Sequence, residues 1–360
     1  MKKPISRTPA RILVGNVLDR IKEIKDESVQ CVVTSPPYWG LRDYGTATWE
    51  GGDEACEHSI SMDTKWNDPK RGTKVLRPET GHRGGSSTNC HKCGAVRIDD
   101  QIGLEETPEE YIEKMVLLFR EVHRILAKDG VLWLNLGDSY AGNNSRGSNG
   151  QRAGFSGNKR ELVVNRTGNG LKPKDLVGIP WRVALALQAD GWYLRQDIIW
   201  HKPNPMPESV KDRCTKSHEY VFMLTKNQRY YFDSKAIEEP AKWDRWGKQT
   251  VVKEQQGTAK WIGEKTKEEL QEKTTKNRRS VWTIATKPFK GAHFAVMPET
   301  LVEPCVLASS RENDIVYDPF TGSGTVAVVA LRHNRRFIGT ELNPDYALIA
   351  QNRIGKVKLL

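Results

Sequence analysis

The segment Asp314–Thr325, DIVYDPFTGSGT, constrains the fold more than any other stretch of the chain. A β-branched run stops at a tight turn holding Gly322 and Gly324, and a helix starts at once. Glycine accepts backbone angles and close approaches that a side chain forbids, and a helix N-terminus presents free N–H groups. Strand, glycine turn and helix in this order point to an α/β sheet that binds a ligand at its carboxyl edge. The turn lacks the Gly-Lys-Ser/Thr of an NTP-binding loop. An acid, Glu341, ends the next β-branched run, RRFIGTEL, roughly 20 residues on, where such sheets grip a ribose. A purely structural turn with an unrelated acid is the competing reading of this motif alone.

The same grammar recurs along the chain. RILV (11–14) and VQCVVT (29–34) read as strands, with an amphipathic stretch from Val17 to Ile24 between them. Thr107-Pro108-Glu109-Glu110 supplies a cap, a first-turn proline and early acids, and apolar residues keep helical period to about Ala127. Asp129-Gly130 then turns the chain into VLWLNLG. A helix near 175–190, strands at 192–200 and 218–226 and a terminal helix from Asn343 follow. This alternation predicts a doubly wound α/β fold with a parallel sheet. The 360 residues suffice for one large domain or two ordinary ones, and 37% apolar content excludes a wholly disordered chain. No run approaches the roughly 18 apolar residues of a membrane span. The first 15 residues carry no apolar core of a secretory signal, and six cysteines suit a reducing compartment rather than a disulfide scaffold.

A second motif, TSPPYWG (34–40), follows the strand at 29–34. Proline cannot continue a central strand, so Pro36-Pro37 makes a rigid loop at the same sheet edge. Prolines remove backbone donors and keep carbonyl acceptors. Ser35 adds a hydroxyl acceptor and Tyr38 a flat surface. The set suits a planar group that bears an amine, against the alternative of a rigid aromatic turn.

TSPPYWG resembles the catalytic loop of amino-group DNA methyltransferases. DPFTGSGT resembles their S-adenosylmethionine loop, and HFAVMPETLVEPC (293–305) the cofactor-side motif that precedes it. The catalytic motif comes first and the cofactor motif last, an order similar to the beta class of the N-4/N-6 family. The resemblance covers roughly 11–40, 104–140, 175–226 and 281–355. It implies a Rossmann-like methyltransferase sheet, circularly permuted. It places Ser35, Pro36, Pro37 and Tyr38 around a flipped base. Asp318, Phe320, Gly322 and Gly324 would line the cofactor, with Glu341 on its ribose and Pro298, Thr300 and Leu301 at its methionine end. The Gly15-Asn16 turn resembles a Gly-Asp motif that meets the adenine amine; Asn16 keeps an acceptor and loses the charge. Asp138-Ser139-Tyr140 would border the base pocket or simply end a strand.

Serine before Pro-Pro is similar to the cytosine-N4 subgroup, with adenine N6 as the alternative. An RNA or protein amide methyltransferase shares the Pro-Pro-Tyr logic, but the permuted order and basic inserts point away from it. A non-catalytic zinc DNA-binding protein is disfavoured by the intact motifs. The expected partner is double-stranded DNA, without a membrane; a homodimer is compatible with the class. The expected setting is the cytoplasm of a prokaryote or phage host, at the nucleoid.

Cys56-x-His58 and Cys90-x-x-Cys93 are two close pairs with the ligand set of a tetrahedral zinc site. Four protein ligands leave no open position, so a structural zinc is expected, with free thiols in an insert as the alternative. His82 and His91 are substitute ligands. Cys31 and Cys305 sit in apolar contexts and read as core; Cys214 has no evident role.

The net charge of +11 concentrates in two regions. Residues 143–175 hold seven Lys/Arg against two acids, and 234–280 hold twelve against eight. Basic loops rich in Asn, Gln and Arg contact phosphates and read base edges. A solvated charged helix is the plainer reading of 263–276. The expected partition is a catalytic half (1–40 and 104–226), a zinc-binding insert (41–103), a basic loop (141–175), a target-recognition region (227–280) and a cofactor-binding half (281–360).

Overall fold

The computed structural model describes residues 9–40, 44–58, 65–67, 74–76, 89–141, 170–241, 275–286 and 296–357. Its strands are β1 (Ala10–Val14), β2 (Val29–Thr34), β3 (Thr48–Glu50), β4 (Lys65–Asn67), β5 (Lys74–Leu76), β6 (Val96–Ile98), β7 (Leu126–Leu136), β8 (Tyr193–His201), β9 (His218–Thr225), β10 (Glu239–Pro240), β11 (Thr275–Lys276), β12 (Val281–Thr283), β13 (Ile315–Asp318) and β14 (Arg336–Glu341). Its helices are α1 (Val17–Arg20), α2 (Pro108–Ile125), α3 (Ile179–Ala189), α4 (Glu299–Ser309), α5 (Thr325–Arg332) and α6 (Pro344–Ile354).

Eight strands form one sheet in the order β1-β14-β13-β2-β7-β9-β8-β12. Neighbours from β1 to β7 are parallel, as are β8 and β12. Only β9 is reversed, antiparallel to both β7 and β8. The expected parallel sheet is therefore mostly parallel rather than wholly so. The reversal brings His218, the first residue of β9, to the edge where the other strands end.

Alternation along the strands divides the core between two faces, as period-2 geometry requires. Val32, Leu132 and Leu134 pack with α2 and α3, whereas Cys31, Val33, Val131 and Trp133 pack with α4 and α5. On α2 the cap expected at Thr107 is present, and it is one half of a capping box. Thr107 accepts from Glu110 N, and the Glu110 carboxylate accepts from Thr107 N. Tyr111, Met115, Leu118, Phe119, Val122 and Ile125 bury one stripe of that helix.

Three local expectations change. The amphipathic stretch at 17–24 is the four-residue α1 followed by a 3-10 turn at Ile21–Glu23. Asp129-Gly130 is no separate turn: β7 starts at Leu126, and its register on β2 jumps from Leu126↔Val29 to Val131↔Cys31. The extra residues bulge there, and a Cβ on Gly130 would lie 2.6 Å from Leu126 Cγ, so only glycine passes. Helix α3 begins at Ile179, because Gly178 in a left-handed conformation and the Asp138 carboxylate fix its N-terminus.

Candidate active site

The glycine turn after β13 is built mainly from backbone. Gly322 and Gly324 have φ of +51° and +80°. A Cβ on Gly324 would stand 2.8 Å from Ala350 Cβ, so glycine lets the turn close on α6. Glu341 arrives at the end of β14 and accepts hydrogen bonds from Gly322 N at 2.7 Å and Asn343 N at 2.9 Å. Burial pushes its pKa up, and those backbone donors pull the other way. Arg353 pins the turn from α6, donating to Ser323 O at 2.8 Å and Ser323 Oγ at 2.9 Å. Phe320 is partly buried against the core.

Asp318, at the end of β13, accepts from Phe320 N at 3.0 Å and from Thr34 Oγ1 at 2.8 Å. Burial pushes its pKa up to about 7. Thr34 is the last residue of β2, so this bond ties the glycine turn to the start of the Ser35–Tyr38 loop.

That loop is clamped by side chains. Tyr111 donates to Pro37 O at 3.0 Å, Trp39 Nε1 donates to Glu105 O at 2.9 Å, and Gly40 N donates to Gly103 O at 2.7 Å. Trp39 is 1% exposed. It is a buried anchor of the loop rather than a ring offered at the sheet edge alongside Tyr38. Tyr38 lies half-buried against Gly137, where a Cβ would stand 2.5 Å from its ring. Its hydroxyl donates to Glu219 Oε2 at 2.8 Å and reaches Asn135 Oδ1 at 3.2 Å, while Ser35 Oγ lies 3.4 Å away. Burial first, and then the Glu219 charge, hold the Tyr38 pKa well above that of an ordinary phenol.

Pro298 precedes α4, buried; Leu301 is buried and Thr300 exposed. A narrow cleft between α4 and the sheet is lined by Thr34, Asn135, Met297 and Leu301. Asn16 caps α1, its Oδ1 accepting from Leu18 N at 2.9 Å. Asp138, just past β7, caps the N-terminus of α3, accepting from Gly178 N at 3.0 Å and Ile179 N at 3.2 Å. Ser139 Oγ is buried without a hydrogen-bond partner among the described residues. Cys31 and Cys305 are core residues; burial pushes the Cys31 thiol up to about 12 and Cys305 well above its usual range.

Away from that edge, Cys56, His58, Cys90 and Cys93 converge with ligand atoms all within 4.8 Å of one another. Cys56 Sγ and Cys90 Sγ are 4.0 Å apart, and Cys93 Sγ lies 3.3 Å from His58 Nδ1. The antiparallel pair β3 and β6 supports the cluster, and the His58 ring tilts against Trp49 at 5.0 Å. Residues 142–169 of the basic loop, 242–274 of the target-recognition region, His82 and the start of the 293–305 motif lie outside the described residues.

Sequence reasoning passed over Tyr111, Asn135, Gly137, Lys202 and Glu219, which hold the Tyr38 loop. Asn135 carried a signal: a lone amide inside the apolar run VLWLNLG needs partners, and it donates to Tyr220 O at 3.0 Å. Glu219 carried none, being one polar residue at a strand start 181 positions from Tyr38.

Comparison with known proteins agrees with this geometry. The sequence model of the DNA methylase family covering N6 and N4 enzymes matches residues 29–352. The Type II methyltransferase M.Cfr9I of Citrobacter freundii is 40% identical over 98% of this chain and 90% of its own length. M.SmaI of Serratia marcescens, also a Type II methyltransferase, is 41% identical over 96% and 90%. Among solved structures, PvuII DNA methyltransferase (cytosine-N4-specific) superposes with a TM-score of 0.54 at 15% identity, covering 96% of this chain and 86% of that one. A putative DNA modification methylase of Thermus thermophilus, in complex with S-adenosyl-L-methionine, gives 0.51 at 22% identity, covering 96% and 93%. The chain belongs to the N6/N4 DNA methylase family.

Proposed function

We propose that this DNA methyltransferase modifies the exocyclic amine of a base flipped out of double-stranded DNA, with cytosine N4 as the target and adenine N6 as the second reading. One observation carries the proposal: the Ser35–Tyr38 loop and the Asp318–Gly324 turn lie on adjacent strand ends joined by the Thr34–Asp318 hydrogen bond. Serine ahead of Pro36-Pro37 favours cytosine, through the resemblance noted above.

The turn residues fit S-adenosylmethionine. Glu341 is a buried carboxylate at a strand end, and the left-handed glycines bring bare backbone to the same place. Glu341 would hold the ribose hydroxyls, Phe320, Gly322 and Gly324 would line the cofactor, and Pro298, Thr300 and Leu301 would flank its methionine end. Asp318 supports the turn, and Asn16 would meet the adenine amine with its side-chain oxygen, which also accepts from Leu18 N. Bound S-adenosylmethionine supplies an electrophilic sulfonium methyl. A base amine is a weak nucleophile because its lone pair is delocalised into the ring, so alignment and acceptors that favour a tetrahedral nitrogen are the protein's contribution. Ser35 Oγ and the Pro36 carbonyl accept the amine hydrogens. Pro37 O is already taken by Tyr111. Tyr38 stacks on the base, and the released proton leaves through Ser35 or solvent. Inside a duplex the amine is paired, so the base must leave the stack to reach these groups.

The early catalytic strand and late cofactor strand are read as a circular permutation, with 1–40 plus 104–226 and 281–360 as its halves. Residues 41–103, 141–175 and 227–280 are read as inserts, the last two meeting DNA. Cys56, His58, Cys90 and Cys93 fit structural zinc: bonds of about 2.3 Å to sulfur place tetrahedral ligands about 3.8 Å apart, near the 4.0 Å observed. Metal analysis should find one equivalent of zinc; less than half an equivalent in carefully purified protein removes this part of the reading.

Incubation with methyl-labelled cofactor and duplex DNA, then RNA, tests the main proposal. Label in DNA, and N4-methylcytosine in the hydrolysed nucleosides, is the expected result. N6-methyladenine transfers the reading to the second base, and label in RNA alone overturns it.

A further inference from the structure

Tyr38 is held by an ionic pair that no sequence motif brings together. Lys202, just past the end of β8, forms an ion pair with Glu219 Oε1, and its Nζ lies 4.2 Å above the Trp200 ring. The other oxygen, Glu219 Oε2, accepts from Tyr38 OH at 2.8 Å and from Asn135 Nδ2 at 3.3 Å. The pair is mostly shielded, with side chains 18% and 17% exposed, and the reversed strand β9 delivers Glu219 to this edge. The ring packs on the core and, at Gly137, directly on backbone. The hydroxyl sits at the tip of the ring, so its bond to Glu219 fixes where the ring points.

We propose that Glu219, held by Lys202, is the positioning residue of the base pocket, setting the Tyr38 ring through its hydroxyl. This rests on reading Tyr38 as the stacking residue for the flipped base. Each Glu219 oxygen has a distinct duty: one faces a cation and the other two donors. Glutamine cannot serve both. With its oxygen toward Tyr38 and Asn135, its NH2 faces the Lys202 ammonium; reversed, the NH2 faces the Asn135 amide donor. Replacing Lys202 by methionine removes that conflict, and a thioether over the Trp200 ring is itself a favourable contact.

The test is single-turnover methylation at saturating duplex DNA, with cofactor affinity and thermal melting measured alongside. Glu219→Gln should slow methyl transfer by about 10- to 100-fold, the scale of a displaced reacting group, with cofactor affinity unchanged within about twofold. The double variant Lys202→Met/Glu219→Gln should recover to within roughly fivefold of wild type, since hydrogen-bond satisfaction is restored. In a Tyr38→Phe background, Glu219→Gln should change the rate by less than about twofold, because its route of action is gone. A double variant no faster than Glu219→Gln, or a full effect in the Tyr38→Phe background, overturns the proposal. If Glu219→Gln does not fold, Lys202→Met crossed with Tyr38→Phe gives the same cycle, and multiplying effects there overturn it equally. Tyr38→Ala separates the two layers. Wild-type turnover in that variant sinks the stacking reading and this proposal with it, whereas slow turnover with multiplying effects sinks the positioning role alone.

Discussion

The two turns at the ends of β2 and β13 are neighbours made by opposite means. The Asp318–Gly324 turn is shaped mainly by backbone: left-handed glycines and N–H groups, held by the Asp318 and Glu341 carboxylates and by Arg353 from α6. The Ser35–Tyr38 loop is shaped by side chains from three other elements, Tyr111 on α2, Asn135 on β7 and Glu219 on β9, and by the bare backbone at Gly137. The glycine turn can be local, because the turn and the next strand end supply most of its contacts. A pocket that must aim one ring at one amine needs braces from several directions. The Asp318–Gly324 turn should therefore respond to glycine replacement, and the Ser35–Tyr38 loop to loss of groups far away in sequence.

The largest expected effect is on the catalytic loop. Tyr38→Ala and Ser35→Ala should each lower single-turnover methylation by roughly 100-fold or more while cofactor affinity changes by less than about twofold. Normal methylation by the doubly substituted protein breaks the comparison.

Gly324→Ala should act on the other turn. The left-handed conformation alone costs a non-glycine residue about 1–2 kcal/mol, and the contact with Ala350 adds to it. A melting temperature lower by roughly 5 °C with weakened cofactor binding is expected, read by calorimetry and titration. An unchanged melt shows that the turn has room to shift.

The Asp318 carboxyl joins the two turns and gives them a pH response. Its folded pKa of about 7 stands above the usual 3.8, so the folded protein keeps a proton that the unfolded chain releases. The stabilising contribution is complete below about 4 and is lost as pH rises to about 7. Asp318→Asn keeps the Oδ1 acceptor for Thr34 and Phe320 and should flatten that part of the melting profile between about pH 4 and 8. Equal slopes in both proteins rule out a buried, protonated Asp318.

The smallest global effect is expected at the cysteine cluster. It is supported by its own pair of strands, apart from the eight-stranded sheet. On the zinc reading proposed above, Cys90→Ser should lower the bound zinc and open 44–58 and 89–98 to protease, with the main melting transition moved by only a few degrees. A collapse of that transition would make the cluster part of the main core.

Much of the fold could be read in advance because its signals are short-range. Thr107-Pro108 with Glu110 starts a helix, Pro36-Pro37 stops a strand, and Gly322 and Gly324 admit left-handed angles wherever they occur. The direction of β9, the bulge at Gly130 and the burial of Trp39 could not, since each depends on what packs opposite. Cys56, His58, Cys90 and Cys93 were readable as residue types in close pairs; that they meet is a property of the folded chain.

By itself the sequence determined the strands, the glycine and proline turns that end them, and the residue types at the reacting edge. These follow from backbone sterics, proline's missing donor and hydrophobic period, all acting within a few residues. Only the tertiary structure decided that Tyr38 leans on Gly137 and answers to Glu219 and Lys202. Hydrogen bonds across 97 and 181 residues exist only after the sheet order and the reversal of β9 have brought those strand ends together.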